Sequence, residues 1–208
     1  MTTNAVSTLF DLLRHGEPVG GKKYRGQIDD PLSEKGWQQM RQAVGDYCAW
    51  DVIVTSPLSR CAAFAQELAA RHAIPLEIEK RYRELGFGEW EGKTATELLA
   101  QDASLLMRFW QDPTKSAPPG GESLVEFHAR VVSAFNETLK RHQGRRVLVV
   151  AHAGVIRLLV SHALDMPLNR LFRIDVPNAS LTRLRVDHHD GGILPRLVFH
   201  AAQLSARA

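Results

Sequence analysis

Two histidines, each at the end of an apolar run and each followed by small residues, are the side chains best suited to do chemistry in this chain. His15 follows the run that begins at Phe10 and comes directly after Arg14. Histidine is nucleophilic and titrates near neutral pH, and arginine offers a planar fork of donors that suits phosphate oxygens. The Arg-His-Gly order therefore predicts a histidine that attacks a phosphoryl group held by the arginine. The alternative is a histidine that only ends a strand.

The second histidine, His152, ends the most continuous apolar run, Val147–Val150, and precedes Ala153. Such a run is typical of a central parallel strand. Arg60 lies near the start of a predicted helix that follows another short strand and in which Pro57 takes the first turn. Ligands bind at this edge of open α/β sheets, and a helix N-terminus favours an anion there. We therefore expect both histidines and Arg60 to converge on one anion site, an arginine paired with an acid being the alternative for Arg60.

A general acid is expected in the segment Arg83–Gly92, where three glycines and two aromatic residues surround three carboxylates. A folded loop can hold one glutamate partly out of water, which favours the protonated form that donates a proton. The composition makes Glu84, Glu89 and Glu91 all candidates, and we expect at most one of them to be the acid.

The loop Pro18–Pro31 follows the first predicted strand, which is a natural position for substrate contacts. Its glycines provide the turns. Within this loop we expect Tyr24 and Arg25 to contact the ligand, and Lys22 and Lys23 to be solvated.

The elements that position these residues alternate between short apolar strands and amphipathic helices, which predicts an α/β fold. The expected strands cover residues 8–13, 51–55, 76–79, 146–150, 181–186 and 194–200, with a turn at 187–192. The expected helices cover residues 34–47, 57–72, 94–112, 122–142 and 155–163. Residues of about 85–120 are interpreted as an insertion that forms a small lid, and Asn178–Ser180 is expected to approach the site.

Length and composition indicate one domain, residues 1–208, whose apolar fraction of 44% suffices for a sizeable core. The net charge of +3 permits an anionic ligand, but the longest basic cluster, Lys80–Arg83, is too short to predict nucleic-acid binding. Neither a membrane span nor a signal peptide is expected. Cys48 and Cys61 lack metal-ligand spacing, so we expect both to be buried and the protein to be cytoplasmic. The apolar residues near the C-terminus are compatible with a homodimer contact and equally with an internal edge.

Six motifs in this chain resemble, in the same order, those of the histidine phosphatase superfamily, whose fold is the phosphoglycerate-mutase-like fold. They span nearly the whole chain and are Leu13–Glu17, Pro31–Gly36, Ser56–Arg60, Arg83–Gly92, Gly120–Ser123 and Ala151–Arg157. Each motif is weak alone, whereas the ordered set is highly specific.

The resemblance implies a three-layer α/β/α sandwich with a mostly parallel central sheet. It implies that His15 is phosphorylated transiently, and that Glu84 protonates the leaving alkoxide and then activates water. The groups that it implies at the phosphate are Arg14, Arg60 and His152, with Ala153 beside them. Cationic donors there stabilise the charge of the transferring group. The resemblance implies no metal ion and no cofactor.

Two positions depart from the superfamily pattern. Many members carry Ser or Thr after Arg-His-Gly-Glu and an Asn three residues later, both near the phosphate, where this chain has Pro18 and Gly21. The hydrogen bonds of those side chains are lost, and Pro18 also lacks an N–H group. Because the central charged residues are kept, the departure bears on the substrate and not on the chemistry.

Within the superfamily, the loop Gly20–Gly26 followed by Asp29–Ser33 is most similar to alpha-ribazole phosphatases. This similarity implies a phosphomonoesterase that removes the 5′-phosphate of alpha-ribazole phosphate during cobalamin nucleotide-loop assembly, so the partner would be a small-molecule phosphate monoester. Tyr24, Phe87 and Trp90 are expected either to stack on the base or only to pack the lid. The alternatives are a broad-specificity or sugar-phosphate phosphatase, a phosphoglycerate mutase, which is an isomerase, and a non-enzymatic phosphate-binding module.

Overall fold

A computed structural model describes residues 6–190 and 192–202 as one mixed sheet with helices on both faces. The order of the six strands is β3-β2-β4-β1-β5-β6; the pairs among the first four are parallel, and β5 and β6 are antiparallel. The strands are β1 (Ser7–Arg14), β2 (Val52–Thr55), β3 (Leu76–Ile78), β4 (Arg146–Ala151), β5 (Leu181–His189) and β6 (Gly192–Ala202). The predicted α/β class and mostly parallel sheet are confirmed.

The helices form the two outer layers of the sandwich. They are α1 (Glu34–Val44), α2 (Ser59–His72), α3 (Ala95–Gln111), α4 (Leu124–Arg141) and α5 (Ala153–Ala163). Alternate strand residues point to opposite faces of a sheet. Leu12 accordingly joins the core beneath α3, α4 and α5, whereas Leu13 joins the core beneath α1 and α2. Across the part of the chain that the structure describes, no helix is long and apolar enough to cross a membrane.

The pairing of β1 with β4 sets the geometry of the site. In this parallel pair Arg14 lies opposite Ala151, and the backbone N–H of His15 donates to the carbonyl of Ala151 over 3.0 Å. The residues that follow the two strands are therefore neighbours at one edge of the sheet. This is the convergence of His15 and His152 that the apolar runs predict.

Two helix starts differ from the prediction, and in α4 a capping side chain accounts for the difference. Leu58 is the N-cap of α2, so Pro57 precedes the helix and does not occupy its first turn. Ser123 caps α4, and its hydroxyl accepts from the N–H of Glu126, so this helix begins at Leu124 and not at Glu122. Such a cap satisfies N–H groups that have no partner inside the helix.

Other differences concern the start of α5, the last two strands and Cys48. Helix α5 starts at Ala153, two residues earlier than predicted, and the last two strands are longer, so the turn at 187–192 is shorter. Cys48 is exposed, which contradicts the expectation that both cysteines are buried; it lies beyond the end of α1 at Val44 and not on the helix as predicted. Cys61 is buried as expected.

Candidate active site

A cavity opens where β1 and β4 end. Its inner part has a volume of about 170 Å³ and is continuous with an outer cleft, since both are lined by Arg14, His15 and Ala153. The charged and polar residues that line the inner part are Arg14, His15, Lys23, Tyr24, Arg25, Arg60, Glu84 and Arg157. The structure thus brings together most of the residues that the sequence indicates. It adds Arg157, which the sequence analysis did not single out.

His15 is held as a neutral imidazole with one free nitrogen. Its Nδ1 lies 2.7 Å from the carbonyl oxygen of Gly16, and because a carbonyl only accepts, Nδ1 carries the proton. Burial lowers the pKa of His15 well below its usual 6.5, and the positive charges of Arg14 and Arg60 lower it further. The lone pair on Nε2 is therefore available for attack at neutral pH.

Two arginines keep unused donors at this site. Arg60 is 1% exposed, and its two terminal nitrogens donate to the carbonyls of Ile28 and Gly26 over 2.7 and 2.8 Å. Arg14 donates through Nη1 to the carbonyl of Val176. The buried Nε atoms of both arginines have no hydrogen-bond partner among the described residues. Burial lowers the pKa of Arg14 to about 10, which leaves it charged at neutral pH.

His152 lies behind His15 and does not line the cavity. The two ring centroids are 5.2 Å apart in an edge-on arrangement. The His152 ring is fully buried, and its Nε2 lies 2.7 Å from the hydroxyl of Ser56. Burial and the charge of Arg60 lower the pKa of His152 well below 6.5, so this ring is also neutral. Its role as a phosphoryl ligand stays a prediction.

Glu84 is the carboxylate that reaches the cavity. Its two oxygens accept from the N–H groups of Leu85, over 3.0 Å, and of Gly154, over 3.1 Å. Gly154 lies in the first turn of α5, where N–H groups lack partners within the helix and favour a negative group. Helix α5 therefore holds the carboxylate of Glu84 at the mouth of the site.

The other two acids of this segment are placed differently. Glu89 is exposed to solvent. Glu91 accepts hydrogen bonds from backbone N–H groups and does not line the inner cavity. The structure thus separates Glu84 from the other two candidates.

Replacing Gly154 by alanine is expected to displace Glu84. A Cβ atom at this position would lie 2.3 Å from Oε1 of Glu84 and 3.3 Å from the ring of Phe127, so the carboxylate must move. A displacement of about 1 Å at a reacting group lowers the rate by about 100-fold. Stability is expected to be unchanged or slightly higher, because alanine favours the helix. Steady-state kinetics of Gly154→Ala measure the change in rate, and urea unfolding measures the change in stability. An unchanged kcat would contradict the placement of Glu84.

The two neutral histidines make stability depend on pH. In the unfolded chain both rings take up a proton as the pH falls through 6.5, whereas burial keeps the folded rings neutral. The unfolded state then binds more protons than the folded state. The free energy of unfolding therefore decreases as the pH is lowered, by at most about 1.4 kcal/mol for each histidine and each pH unit. Urea unfolding between about pH 7.5 and 5.5, where carboxylates stay ionised, measures this. His15→Asn is expected to reduce the slope, and equal slopes would contradict the burial of a neutral ring.

The loop after β1 contributes more than the sequence indicates. Tyr24 and Arg25 line the inner cavity as expected, but so does Lys23, which was expected to be solvated. Lys23 is held there by Asp30, with their charged atoms 3.0 Å apart. Arg25 also bonds to Asp30, and it donates to two loop carbonyls, so much of its guanidinium serves to fold the loop.

The outer cleft contains the two departures from the superfamily pattern. Pro18 and Gly21 both line it, and Gly21 faces open space, with no atom within 4 Å of the position of a Cβ. Lys22 lines the same cleft. Asn178 also lies there and donates from Nδ2 to the carbonyl of His15 over 3.0 Å, in agreement with the expected approach of this segment.

Aromatic rings form one wall of the cavity. Tyr24 and Phe87 line it, whereas Trp90 is 5% exposed and packs against Phe109 instead. The rings that sequence reasoning missed are Phe109, Trp110 near the end of α3, and Phe172. The ring centroids of Trp110 and Phe172 are 5.1 Å apart.

Arg157 is a positively charged cavity residue that the sequence analysis missed, although its spacing from Ala153 could have indicated it. It lies four residues after Ala153 on α5, so both side chains share the helix face that meets the cavity. Its Nε donates to the carbonyl of Ile174, and its guanidinium lies 5.7 Å from the ring centroid of Phe172.

Fold and site together define a class: α/β proteins with a neutral histidine among arginines at the carboxyl edge of a mostly parallel sheet. Residues 10–196 match the model of the histidine phosphatase superfamily (branch 1), and the chain belongs to this superfamily. The resemblance seen in the motifs is thereby confirmed.

Three curated relatives illustrate the range within this superfamily. The bifunctional protein Rv2228c of Mycobacterium tuberculosis is 35% identical over 90% of this chain, and the chain spans only 52% of that protein. Phosphoserine phosphatase 1 of Hydrogenobacter thermophilus is 31% identical over 88% of this chain and 89% of its own length. The adenosylcobalamin/alpha-ribazole phosphatase of Escherichia coli is 27% identical over 79% of this chain and 84% of its own length.

Among solved structures, the native mycobacterial glucosyl-3-phosphoglycerate phosphatase Rv2419c superposes with a TM-score of 0.85. It is 29% identical, and the match covers 95% of this chain and all of that one. Three of these four names contain the word phosphatase, and those three differ in the substrate they state; the name of Rv2228c states neither.

Proposed function

We propose that this protein is a phosphomonoesterase that works through a phosphohistidine intermediate. The observation that carries the proposal is the free Nε2 of neutral His15 beside the unpartnered Nε atoms of Arg14 and Arg60. Phosphate recognition requires cationic donors alone, whereas a nucleophile with an acid opposite it favours catalysis. Membership of the superfamily and the phosphatase names of the relatives support this reading.

The reaction follows in two balanced steps. Nε2 of His15 attacks phosphorus while Arg14 and Arg60 bind the phosphoryl oxygens, and the P–O bond to the leaving group breaks. Glu84 donates its proton to the leaving alkoxide. In the second step Glu84 takes a proton from a water molecule, whose oxygen attacks phosphorus and releases inorganic phosphate and His15. Each turnover thus returns Glu84 to its protonated form.

For the substrate we propose alpha-ribazole 5′-phosphate, and for the location the cytoplasm. Two observations support this substrate. The loop after β1 resembles that of alpha-ribazole phosphatases, and Tyr24, Phe87, Trp110 and Phe172 form an aromatic wall beside His15. A planar base can stack on such rings, and stacking of a base contributes about 1–3 kcal/mol.

Phosphate release from alpha-ribazole 5′-phosphate, measured beside phosphoserine, phosphoglycerates and sugar phosphates, tests the substrate. A strong preference for the ribazole supports it, and similar modest rates on every compound would leave a broad-specificity phosphatase. Interconversion of phosphoglycerates with little phosphate release would instead indicate a mutase. Binding of phosphate without any turnover would indicate a non-enzymatic module.

Two variants on one helix test the aromatic wall. Trp110→Ala removes a cavity ring, and Met107→Ala removes an apolar side chain of similar exposure on α3 that does not line the cavity. We expect Trp110→Ala to lower kcat/KM for the ribazole by about 5- to 100-fold, as the loss of base stacking requires, and to leave phosphoserine unaffected. Equal losses on both substrates would contradict stacking.

A second candidate substrate class is phosphomonoesters that carry a carboxylate, and Arg157 favours it. Arg157 lines both parts of the cavity, and within residues 6–190 and 192–202 it forms no ion pair with a carboxylate. An unpaired arginine suits a second anionic group. Arg157→Gln, beside the exposed control Arg170→Gln, would lower kcat/KM for phosphoserine more than for the ribazole if this class is the natural one.

A further inference from the structure

The guanidinium of Arg60 is oriented by backbone and not by an acid. Its Nη1 and Nη2 donate to the carbonyls of Ile28 and Gly26, which leaves three of its five N–H donors for other groups. The direction of these remaining donors therefore depends on where the segment Gly26–Ile28 lies. That segment belongs to a surface loop, so its position needs an anchor.

Glu91 is that anchor. Its Oε1 accepts from the N–H groups of Gln27, over 2.9 Å, and of Phe87, over 3.0 Å, and its Oε2 accepts from the N–H of Ile28 over 3.1 Å. One carboxylate thus joins the loop that holds Arg60 to the segment that carries Glu84. Hydrogen bonds from N–H to a carboxylate are stronger than those between neutral groups.

The local backbone is built around this contact. Gly26 has φ of +51°, and a Cβ there would lie 2.0 Å from Oε1 of Glu91, so only glycine admits the carboxylate. On the far side of the loop, Oδ1 of Asp29 accepts from the N–H of Ser59 over 2.6 Å, at the start of α2. Loop and helix are therefore connected on both sides of Arg60.

We propose that Glu91 is a positioning residue that acts through Arg60. Without the carboxylate, the N–H groups of Gln27 and Ile28 no longer both have an oxygen acceptor on the same side chain, and the carbonyls that orient Arg60 shift with them. The phosphoryl oxygens then meet a displaced arginine. The proposal concerns the phosphate end of the site, and it rests on phosphomonoester hydrolysis without depending on the natural substrate.

The first test uses a generic substrate and compares Glu91 with Glu89, two residues earlier in the chain. Glu91→Gln keeps the shape but places an amide NH₂ against a backbone N–H, whereas Glu89→Gln changes an exposed carboxylate nearby. With p-nitrophenyl phosphate we expect Glu91→Gln to lower kcat/KM by about 10- to 100-fold, as a small displacement of a phosphate-binding group does. Orthovanadate is expected to inhibit Glu91→Gln more weakly than the wild type, by a factor similar to the decrease in kcat/KM. Kinetics like those of Glu89→Gln would overturn the proposal.

A double-mutant cycle separates positioning from general damage. If Glu91 acts through Arg60, then Glu91→Gln has no further effect on kcat/KM once Arg60→Ala is present. If Glu91 only stabilises the fold, its effect multiplies that of Arg60→Ala, and the proposal fails. Thermal unfolding of all four proteins shows that each is folded at the assay temperature. An inactive wild-type enzyme would contradict the proposed function itself and is recognised before any variant is made.

Discussion

Replacing His15 by alanine is expected to abolish phosphate release from every phosphomonoester. Among the described residues that line the cavity, His15 is the one whose imidazole offers a free lone pair, and burial and the neighbouring charges of Arg14 and Arg60 lower its pKa well below the usual 6.5. Loss of a covalent nucleophile lowers kcat by about 10⁴-fold or more. The arginines remain, so orthovanadate or inorganic phosphate should still bind. Phosphate release and thermal shift with inorganic phosphate measure the two effects separately.

The control is a histidine of the same chain outside the cavity. His128 is half-buried on α4 and does not line the site, so His128→Ala is expected to keep full activity. Rapid quenching of the wild-type enzyme with a ³²P-labelled substrate should label one peptide, that of His15, through an acid-labile bond. Turnover that survives His15→Ala, or label on another peptide, would contradict the phosphohistidine mechanism.

The sheet edge that carries this chemistry is predictable from sequence because its signals are local. The run Val147–Val150 is continuous and apolar, and the run Phe10–Leu13 before Arg14 and His15 is apolar except for Asp11, as is typical of buried parallel strands. Ends of adjacent parallel strands meet at one edge, so two strand-end histidines must approach each other. Arg60 could be placed by the same rule, since α2 follows β2 at that edge.

Composition alone could not decide among the three glutamates, because the choice depends on the path of an irregular segment; the motif resemblance was needed to single out Glu84. Glu84 reaches the cavity through a hydrogen bond to Gly154, 70 residues away along the chain. Glu91 instead faces the loop at Gly26–Ile28. Neither partner is visible in local composition, and three nearby carboxylates look alike until the loops are folded.

The cavity walls show the same limit. Trp110 ends a helix whose sequence gives no sign of facing the site, and Lys23 reads as solvated until its ion pair with Asp30 is seen. Arg157 is the exception, because its spacing from Ala153 on one helix already places it on the cavity face. Residues on regular elements that start at the catalytic edge are thus predictable, and residues delivered by loops are not.

Replacing Glu84 by glutamine is expected to give a loss of activity that depends on the leaving group. Glutamine keeps the size of the side chain but cannot protonate an alkoxide. Alkyl phosphates, whose alkoxide leaves poorly, should lose about 10²- to 10⁴-fold in kcat, the usual contribution of a general acid. p-Nitrophenyl phosphate releases a stable phenolate and needs little protonation, so its phosphorylation step should be far less affected. Because water activation then becomes slow, the labelled phosphohistidine of His15 should accumulate with this substrate.

This pattern distinguishes an acid from a structural carboxylate. Glu84 also accepts from Leu85 and Gly154, so its loss could merely loosen the start of α5. A loosened helix would slow both substrates alike and would build up no phosphohistidine. The exposed Glu89 provides the matched control, since Glu89→Gln removes a nearby charge without touching the cavity. A burst of p-nitrophenol followed by slow turnover in Glu84→Gln alone, measured by stopped flow, would assign the activation of water to Glu84. The much larger loss on alkyl phosphates would assign to Glu84 the proton that the leaving alkoxide takes up.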